Sequence, residues 1–203
     1  MSDELSLKVK NAIEESVDLK KLVLHQKLYK ILVEMGELVV QSILNGGKVL
    51  ICGNGGSAAD AQHLTAEFLI RLTSDVNREG IPAISLLQDS STFTAAINDF
   101  EPKDLFKRNL QTLANPEDIL LVISTSGKSE NIVQVLKTAK EIDITTLGFL
   151  GSDGGESLKY CDLSFIVPTK KTARIQEVHI TAGHALIEYV EGRLIQEGFL
   201  KLG

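Results

Sequence analysis

The chain has 203 residues, of which 43% are hydrophobic and 24% charged, and its formal net charge at pH 7 is −6. This composition is typical of a globular protein that buries one α/β core without disulfides or metal. The negative charge argues against a broad nucleic-acid-binding surface, which needs clustered Lys and Arg, but backbone amides could still bind a small phosphorylated ligand.

Targeting signals and cysteines limit the possibilities further. The first ten residues, MSDELSLKVK, contain no apolar stretch of the secretory type. No apolar run approaches the ~18 residues that span a membrane. Cys52 and Cys161 do not form a CxxC pair, which disfavours redox and zinc-ribbon motifs. We therefore expect a cytoplasmic protein with neither a nucleic acid nor a membrane among its partners.

Both ends of the chain are predicted to be helical. Residues 3–46 form a helical block that ends at Asn45-Gly46-Gly47. Apolar residues recur in it at four-residue spacing: Leu5, Val9, Ile13 and Val17. A long helix with an apolar stripe is predicted near 174–197. Because extra apolar helices need a surface that covers them, we expect the chain to form an oligomer.

Between these ends, short apolar runs alternate with helical patterns. Five runs have the length and composition of strands: 48–52, 82–87, 119–124, 145–151 and 163–168. The helical patterns cover 57–71, 103–114 and 129–141. This alternation predicts an α/β fold with a doubly wound, five-stranded parallel sheet. We expect one domain over 1–203, with N-terminal helices in 1–46 and the α/β core and C-terminal helix in 47–203.

A glycine-rich motif, GNGGSAADAQH, spans residues 53–63 between the first predicted strand and its helix. Glycines permit a sharp turn and let a ligand approach the backbone, and Ser57 could cap the helix or bind a ligand. Any βα unit can use such a turn, so the motif alone is weak evidence for a site. The motif is not GxGxxG and no GKS or GKT follows, which disfavours a dinucleotide or nucleoside-triphosphate site.

A second motif, STSGKSEN, spans residues 124–131 between a strand end and a helix start. Four hydroxyl side chains surround its glycine: Ser124, Thr125, Ser126 and Ser129. Together with free amides at the helix start, they suit a phosphate monoester. A Ser/Thr-rich turn with a helix cap is the structural alternative. We favour the ligand interpretation because ligands of open α/β sheets bind at the carboxyl ends of the strands.

A third set of polar residues is spread over two predicted helices. His63 and Glu67 lie four residues apart, and Gln176 and His184 lie eight apart, so each pair occupies about one helix face. Each pair alone is more typical of a surface contact than of a site. Together they offer two imidazoles, a carboxylate and an amide oxygen to a divalent cation such as zinc, although glutamine is an unusual zinc ligand.

The remaining polar candidates carry weaker signals. His179 is offset around its helix from His184, and His25 lies in the N-terminal helices, so we interpret both as structural. Asn98 and Asp99 follow a helical stretch and form a plain turn signal. Composition alone gives these two residues no function.

In their order and spacing, these segments resemble the phosphoheptose isomerase family of sugar isomerase (SIS) domain proteins. The resemblance covers nearly the whole chain and is carried by five segments: 52–63, Glu67, Asn98 with Asp99, 124–129 and 174–184. It implies a flavodoxin-like SIS fold and an aldose–ketose isomerase that converts sedoheptulose 7-phosphate to D-glycero-D-manno-heptose 7-phosphate. That product serves bacterial surface heptose and lipopolysaccharide synthesis. The resemblance also implies one zinc ion per subunit and a homotetramer with active sites at subunit interfaces.

The same resemblance implies roles for individual residues. Glu67 would be the base and His184 the acid of an enediol mechanism. The zinc ligands would be His63, Glu67, Gln176 and His184. The substrate would contact Asn54, Gly55, Gly56, Ser57, Glu67, Asn98, Asp99, Ser124, Thr125, Ser126, Ser129 and Gln176. Glu67 would then have two tasks, metal ligand and base, that compete for one carboxylate.

Two segments depart from the family pattern, and several functions stay open. Lys128 stands where many relatives have asparagine, and residues 68–80 differ from those of common members, which bears on the exact sugar. The alternatives are a non-catalytic SIS protein that binds the replication initiator, a sugar-phosphate-sensing SIS module, and an isomerase of another phosphosugar. The presence of both Glu67 and His184 favours the enzyme, and the chain has no room for the second domain of a sensor.

Overall fold

The computed structural model describes residues 2–87 and 89–203, in which helices and parallel strands alternate along the chain. The helices are α1 (Ser2–His25), α2 (Tyr29–Leu44), α3 (Gly56–Leu69), α4 (Ser90–Asp99), α5 (Leu105–Leu113), α6 (Glu130–Glu141) and α7 (Thr172–Gln196). The strands are β1 (Val49–Gly53), β2 (Ala83–Ser85), β3 (Ile119–Ser124), β4 (Thr145–Gly151) and β5 (Leu163–Val167). Short 3₁₀ helices lie at Pro102–Asp104 and Ser157–Tyr160.

The strands form one parallel sheet with the order β2-β1-β3-β4-β5. This is the order of flavodoxin-like doubly wound folds, so the predicted fold class is confirmed, including the N-terminal helices and the long C-terminal helix. The direction of winding reverses between β1 and β3, which pair along the whole length of β1. Ligands of such sheets bind beyond the carboxyl ends of the strands at this switch point.

The apolar core lies on both faces of the sheet, because neighbouring residues of a strand point to opposite faces. In β3, Leu121 and Ile123 pack with residues of α2, α3 and α7, while Leu120 and Val122 pack with α5 and α6. All six residues of β3 are buried. Continuous burial explains why the central strands have uninterrupted apolar sequences.

The boundaries of the elements differ slightly from the sequence predictions, for local reasons. The N-terminal helical block is divided because Lys27 has a φ of 59°, a left-handed conformation that ends α1. The last strand ends at Val167 because Pro168 has no N–H to continue the ladder. Asn98 and Asp99, which sequence signals predict as a turn, are instead the last two residues of α4. No helix in the described ranges is both long and apolar enough to cross a membrane.

Close packing between α3 and α7 brings together the two helices that carry the predicted metal ligands. A Cβ atom at Gly183 of α7 would lie 2.6 Å from a methyl carbon of Leu64 on α3. A larger residue there would have to displace the Leu64 side chain from its buried position. The glycine therefore lets α3 and α7 pack closely immediately beside His63 and His184.

Candidate active site

The candidate site lies at the switch point of the sheet, where loops follow β1 and β3. The loop after β1 turns at Gly55, which has a φ of 55° and precedes the first residue of α3. This left-handed conformation favours glycine strongly. Ser57 is buried in the first turn of α3, which has no side-chain cap, so the capping role considered for it is wrong.

A pair of amide side chains joins the two loops across the cleft. Asn54 donates to the side-chain oxygen of Asn131 at 2.8 Å, and Asn131 donates back to Asn54 at 2.8 Å. Both residues line a cavity of about 550 Å³ that extends towards Phe93 and Ile97 of α4. The reciprocal pair links the glycine-rich loop to the first turn of α6. Asn131 ends the second motif but was not predicted as a site residue.

The loop after β3 is folded by hydrogen bonds between its own hydroxyls and amides. The Ser124 hydroxyl accepts from the Gly127 amide at 3.1 Å, and the Ser126 hydroxyl accepts from the Lys128 amide at 3.2 Å. Ser129 immediately precedes α6, but its hydroxyl makes no cap bond to the helix. Ser124 is buried, Thr125 and Ser129 are half-buried, and Ser126 is exposed. Hydroxyls and the amino end of α6 thus lie together at this edge of the sheet.

The loop is held in place by a very close backbone contact. Gly127 has a φ of 61°, and a Cβ atom there would lie 1.9 Å from the carbonyl oxygen of Gly154. In addition, the Ser157 amide donates to the Gly127 carbonyl at 2.9 Å. The segment after β4 therefore supports the loop after β3 directly, and only glycine satisfies both the conformation and the contact.

The two predicted histidines meet between α3 and α7. The Nε2 atoms of His63 and His184 are 2.9 Å apart, and their rings are inclined at 64°. The Glu67 Oε1 atom lies 3.6 Å from the same His63 nitrogen, and the Glu67 side chain is 18% exposed. The structure therefore brings His63, Glu67 and His184 together, from helices that are more than a hundred residues apart in the sequence.

Gln176, the fourth predicted ligand, lies at the other end of the same groove. Its amide lies over the first turn of α3, where a Cβ atom at Gly56 would come within 2.3 Å of its nitrogen. This position is close to the glycine-rich loop and about two helical turns from His63 along α3. Gln176 is thus placed beside the glycine-rich loop, and its contact in this structure is with Gly56.

Asn98 and Asp99 are brought near the cleft but not into it. Both are exposed, and the Asn98 amide donates to the Asp99 carboxylate at 2.7 Å. Residues on the inner face of α4, Phe93 and Ile97, line the cavity that Asn54 and Gly55 line from the other side. The helix that carries Asn98 and Asp99 therefore forms a wall of the cleft.

Asp60 is a site residue that the sequence analysis missed. One of its carboxylate oxygens is buried without a hydrogen-bond partner. Burial raises the pKa of this carboxyl, while the nearby His63 and His184 act in the opposite direction. A signal was available in the sequence, because Asp60 precedes His63 by three residues and Glu67 by seven, the spacing of one helix face.

The residues that could hold a metal ion are His63, Glu67 and His184. Within residues 2–87 and 89–203, no three His, Cys, Asp or Glu side chains are arranged as a metal site. Imidazole nitrogens and a carboxylate oxygen are nevertheless the donor types that zinc takes. His63 lies beside both His184 and Glu67, so the set fits such an ion by donor type.

The other two histidines have structural surroundings. His179 is fully buried in α7, and its Nε2 donates to the Leu150 carbonyl at 3.0 Å. Burial lowers the pKa of His179 to about 4, and the hydrogen bond to Leu150 opposes this shift. The imidazole is therefore neutral at pH 7 and fastens α7 to the end of β4. His25 is exposed in the last turn of α1.

Comparisons with known proteins find relatives over most of the chain. The family model of the SIS domain matches residues 14–151. The phosphoheptose isomerase of Clostridium acetobutylicum is 45% identical over 186 residues, which cover 91% of this chain and 94% of that protein. The phosphoheptose isomerase of Roseiflexus sp. is 42% identical over 196 residues, which cover 97% of this chain and 98% of the relative.

Solved structures agree with the sequence comparisons. The phosphoheptose isomerase of Neisseria gonorrhoeae superposes with a TM-score of 0.85 at 36% identity, over 93% of this chain and 99% of that one. The phosphoheptose isomerase of Francisella tularensis gives a TM-score of 0.86 at 33% identity, over 91% of this chain and 97% of its own. The chain therefore belongs to the SIS domain family and, within it, to the phosphoheptose isomerases.

Proposed function

We propose that the protein is an aldose–ketose isomerase that converts sedoheptulose 7-phosphate to D-glycero-D-manno-heptose 7-phosphate. One observation carries the proposal: a carboxylate and an imidazole from different helices, Glu67 and His184, flank the same His63 nitrogen in a chain that belongs to the phosphoheptose isomerases. The nearby loop of hydroxyls and the amino end of α6 suit the phosphate of such a substrate.

The isomerisation requires two proton transfers at carbon and two at oxygen. The Glu67 carboxylate takes a proton from C1 of the ketose while His184 donates a ring N–H proton to O2, which gives a 1,2-enediol. Glu67 then returns its proton to C2, and His184 takes back a proton from O1 as the aldehyde forms. Both side chains end in their starting states, so no external acid, base or oxidant is consumed.

The phosphate provides binding energy at a distance from the reacting carbons. The hydroxyls of Ser124, Thr125, Ser126 and Ser129 would bind it together with the amide hydrogens at the start of α6. The Asn54 amide and the backbone around Gly55 and Gly56 would contact the sugar. Holding both ends of the substrate keeps C1 and C2 beside Glu67, and this orientation is a large part of the rate enhancement.

We further propose that His63, Glu67, Gln176 and His184 hold a zinc ion, one per subunit. The proximity of two imidazoles and a carboxylate supports His63, Glu67 and His184 as ligands. The Gln176 amide, which lies against Gly56, would have to turn along the groove to join them. When bound, the ion would polarise the substrate carbonyl as a Lewis acid. We expect chelation to lower activity and added zinc to restore it. Full activity in protein shown to be metal-free by elemental analysis would contradict the metal assignment.

The test of the proposed reaction is direct conversion of a panel of ketose phosphates by the purified protein, with aldose formation followed by NMR. We expect sedoheptulose 7-phosphate to be converted with the highest kcat/KM. Equal rates across the panel would contradict the heptose assignment and support an isomerase of broader specificity. Tight binding of the replication initiator without any turnover would favour the non-catalytic alternative.

We also propose that the protein acts as a homotetramer in the cytoplasm. The stripe of Leu5, Val9, Ile13 and Val17 on α1 is exposed and apolar along one ridge of the helix, which a second copy of the chain would cover. Both cysteines are free thiols, as is usual in a reducing compartment. Sedimentation velocity tests the assembly. Ile13→Glu should release smaller species, and a wild-type protein that sediments as a monomer would refute the tetramer.

A further inference from the structure

Arg78 is a buried cation in the loop that leads from α3 to β2. Its guanidinium forms an ion pair with Glu191 of α7, and its side chain is completely buried. It also donates to backbone carbonyls of the same loop and helix: Glu67 at 2.9 Å, Phe68 at 3.0 Å and Glu79 at 2.9 Å. One side chain thus connects the end of α3 with α7.

Two of the three carbonyls that Arg78 binds, those of Glu67 and Phe68, belong to the last turn of α3. The last four carbonyls of a helix have no partner within it and need donors from elsewhere. Arginine is suited to this task, because its planar guanidinium offers five donors in a fixed geometry. The carbonyl of Glu67 belongs to the residue whose side chain lies beside His63. Arg78 therefore fixes the backbone at that residue.

The other partner of Arg78 lies on the helix that carries His184. Glu191 follows His184 by seven residues, about two turns and on the same face of α7. Its side chain is only 9% exposed, so the ion pair is shielded from water. Residues near the end of the chain also support this loop. The Gly203 amide donates to the Asn77 carbonyl at 2.9 Å, and the backbones of Arg78 and Leu202 form an isolated antiparallel β-bridge.

We propose that Arg78 is a positioning residue, which sets the distance between Glu67 and His184 by joining the end of α3 to α7. The inference rests on the proposed function for its effect on turnover, but its effect on the site itself is independent of that function. A buried ion pair contributes little to stability when compared with apolar residues of similar size. Such a pair can instead fix one arrangement of the elements it joins.

The test compares wild type with Arg78→Lys, because lysine keeps the charge opposite Glu191 but cannot bind three carbonyls and a carboxylate at fixed angles. Two quantities are measured: kcat and KM for sedoheptulose 7-phosphate, and the affinity and absorption spectrum of bound Co²⁺. Residues behind metal ligands typically alter affinity or activity by about 10- to 100-fold. We expect kcat and Co²⁺ affinity to fall by about tenfold or more. KM should change less than about twofold, because the phosphate loop belongs to β3 and α6.

A matched control separates positioning from stability. Lys48 and Asp118 form another buried ion pair, with 2.6 Å between Nζ and Oδ2, at the start of β1 and thus at the opposite edge of the sheet. Lys48→Met should lower the unfolding midpoint and leave kcat and the Co²⁺ spectrum unchanged. The proposal is overturned if Arg78→Lys keeps wild-type kcat and Co²⁺ affinity, or if Lys48→Met reproduces its effects.

Two further outcomes are also decisive. If Arg78→Lys does not fold, Glu191→Gln takes its place, since it keeps all the carbonyl bonds of Arg78 and removes only the charge on α7. A loss of Co²⁺ affinity in that variant supports the proposal, and no change overturns it. If the wild type shows no isomerase activity, the proposed function fails, whereas weaker Co²⁺ binding in the Arg78 variant still supports the positioning role.

Discussion

Replacing Gly56 by alanine should separate activity from stability at the start of α3. A Cβ atom at this position would lie 2.3 Å from the amide nitrogen of Gln176 and 3.0 Å from its amide carbon. Non-bonded heavy atoms need about 3.5 Å or more, so the amide would have to move by about 1 Å. The neighbour that must move is the end of a flexible side chain, so the backbone can stay where it is.

The expected loss follows from that displacement. A misplacement of about 1 Å at a positioning group can cost about 10²-fold in rate, so we expect kcat/KM of Gly56→Ala to fall by that order. Stability should change little. Alanine in a helix interior is better than glycine by roughly 0.5–1 kcal/mol, and even a part of this gain at the first residue of α3 offsets the small cost of moving Gln176.

Gly192→Ala is the matched control, because Gly192 lies inside α7 with nothing within 4 Å of its Cβ position. It should raise the unfolding temperature by about 1–4 °C and leave kcat/KM unchanged. Steady-state kinetics and thermal unfolding of both variants test the prediction. Gly56→Ala with wild-type kcat/KM would refute the reasoning, because Gln176 could then leave its position without consequence.

Three further predictions concern the loops and the buried histidine. Gly127→Ala places a Cβ atom 1.9 Å from the Gly154 carbonyl in a left-handed conformation that costs about 1–2 kcal/mol, so KM for the sugar phosphate should rise more than kcat falls. An unchanged KM in steady-state assays would show that the loop does not contribute to phosphate binding. Asn131→Ala removes both 2.8 Å bonds to Asn54 and should lower kcat/KM by up to about thirtyfold, since each bond is worth roughly 1 kcal/mol; equal kinetics would show that the amide pair has no role in the site. The pKa of His179 is about 4 in the folded protein, against 6.5 for an ordinary histidine in the unfolded chain. As the pH falls, the unfolded chain therefore binds a proton at a higher pH than the folded protein does. Stability should decline between pH 6.5 and 4 by roughly 3 kcal/mol in wild type, and urea unfolding should find a shallower decline in His179→Gln.

Much of the fold could be predicted from the sequence, because the strands are continuous apolar runs. Residues 119–124 and 145–151 became β3 and β4 with the predicted bounds. The predictions were weaker where local and tertiary effects compete. The run at 82–87 yields a strand of only three residues, Ala83–Ser85, at the edge of the sheet, where one side has no partner strand.

The site was predictable only in part, since its geometry depends on how α3 and α7 pack. Helical spacing placed His63 and Glu67 on one face, but the contact of His63 with His184 arises from the packing of α3 against α7, where Gly183 lies against Leu64. Arg78 could not be found from spacing, because it reaches the site through a loop and a buried ion pair. Asn131 was within a recognised motif, but its partner lies in a different loop.

The most direct measurement is the rate of isomerisation of sedoheptulose 7-phosphate by Glu67→Gln, compared with wild type and with Glu188→Gln, which removes an exposed carboxylate of α7. A positioned general base contributes about 10²- to 10⁴-fold, so Glu67→Gln should lose at least about a hundredfold in kcat. Glu188→Gln should match wild type. Turnover by Glu67→Gln at a rate near that of wild type would contradict the assignment of Glu67 as the residue that moves the proton between C1 and C2.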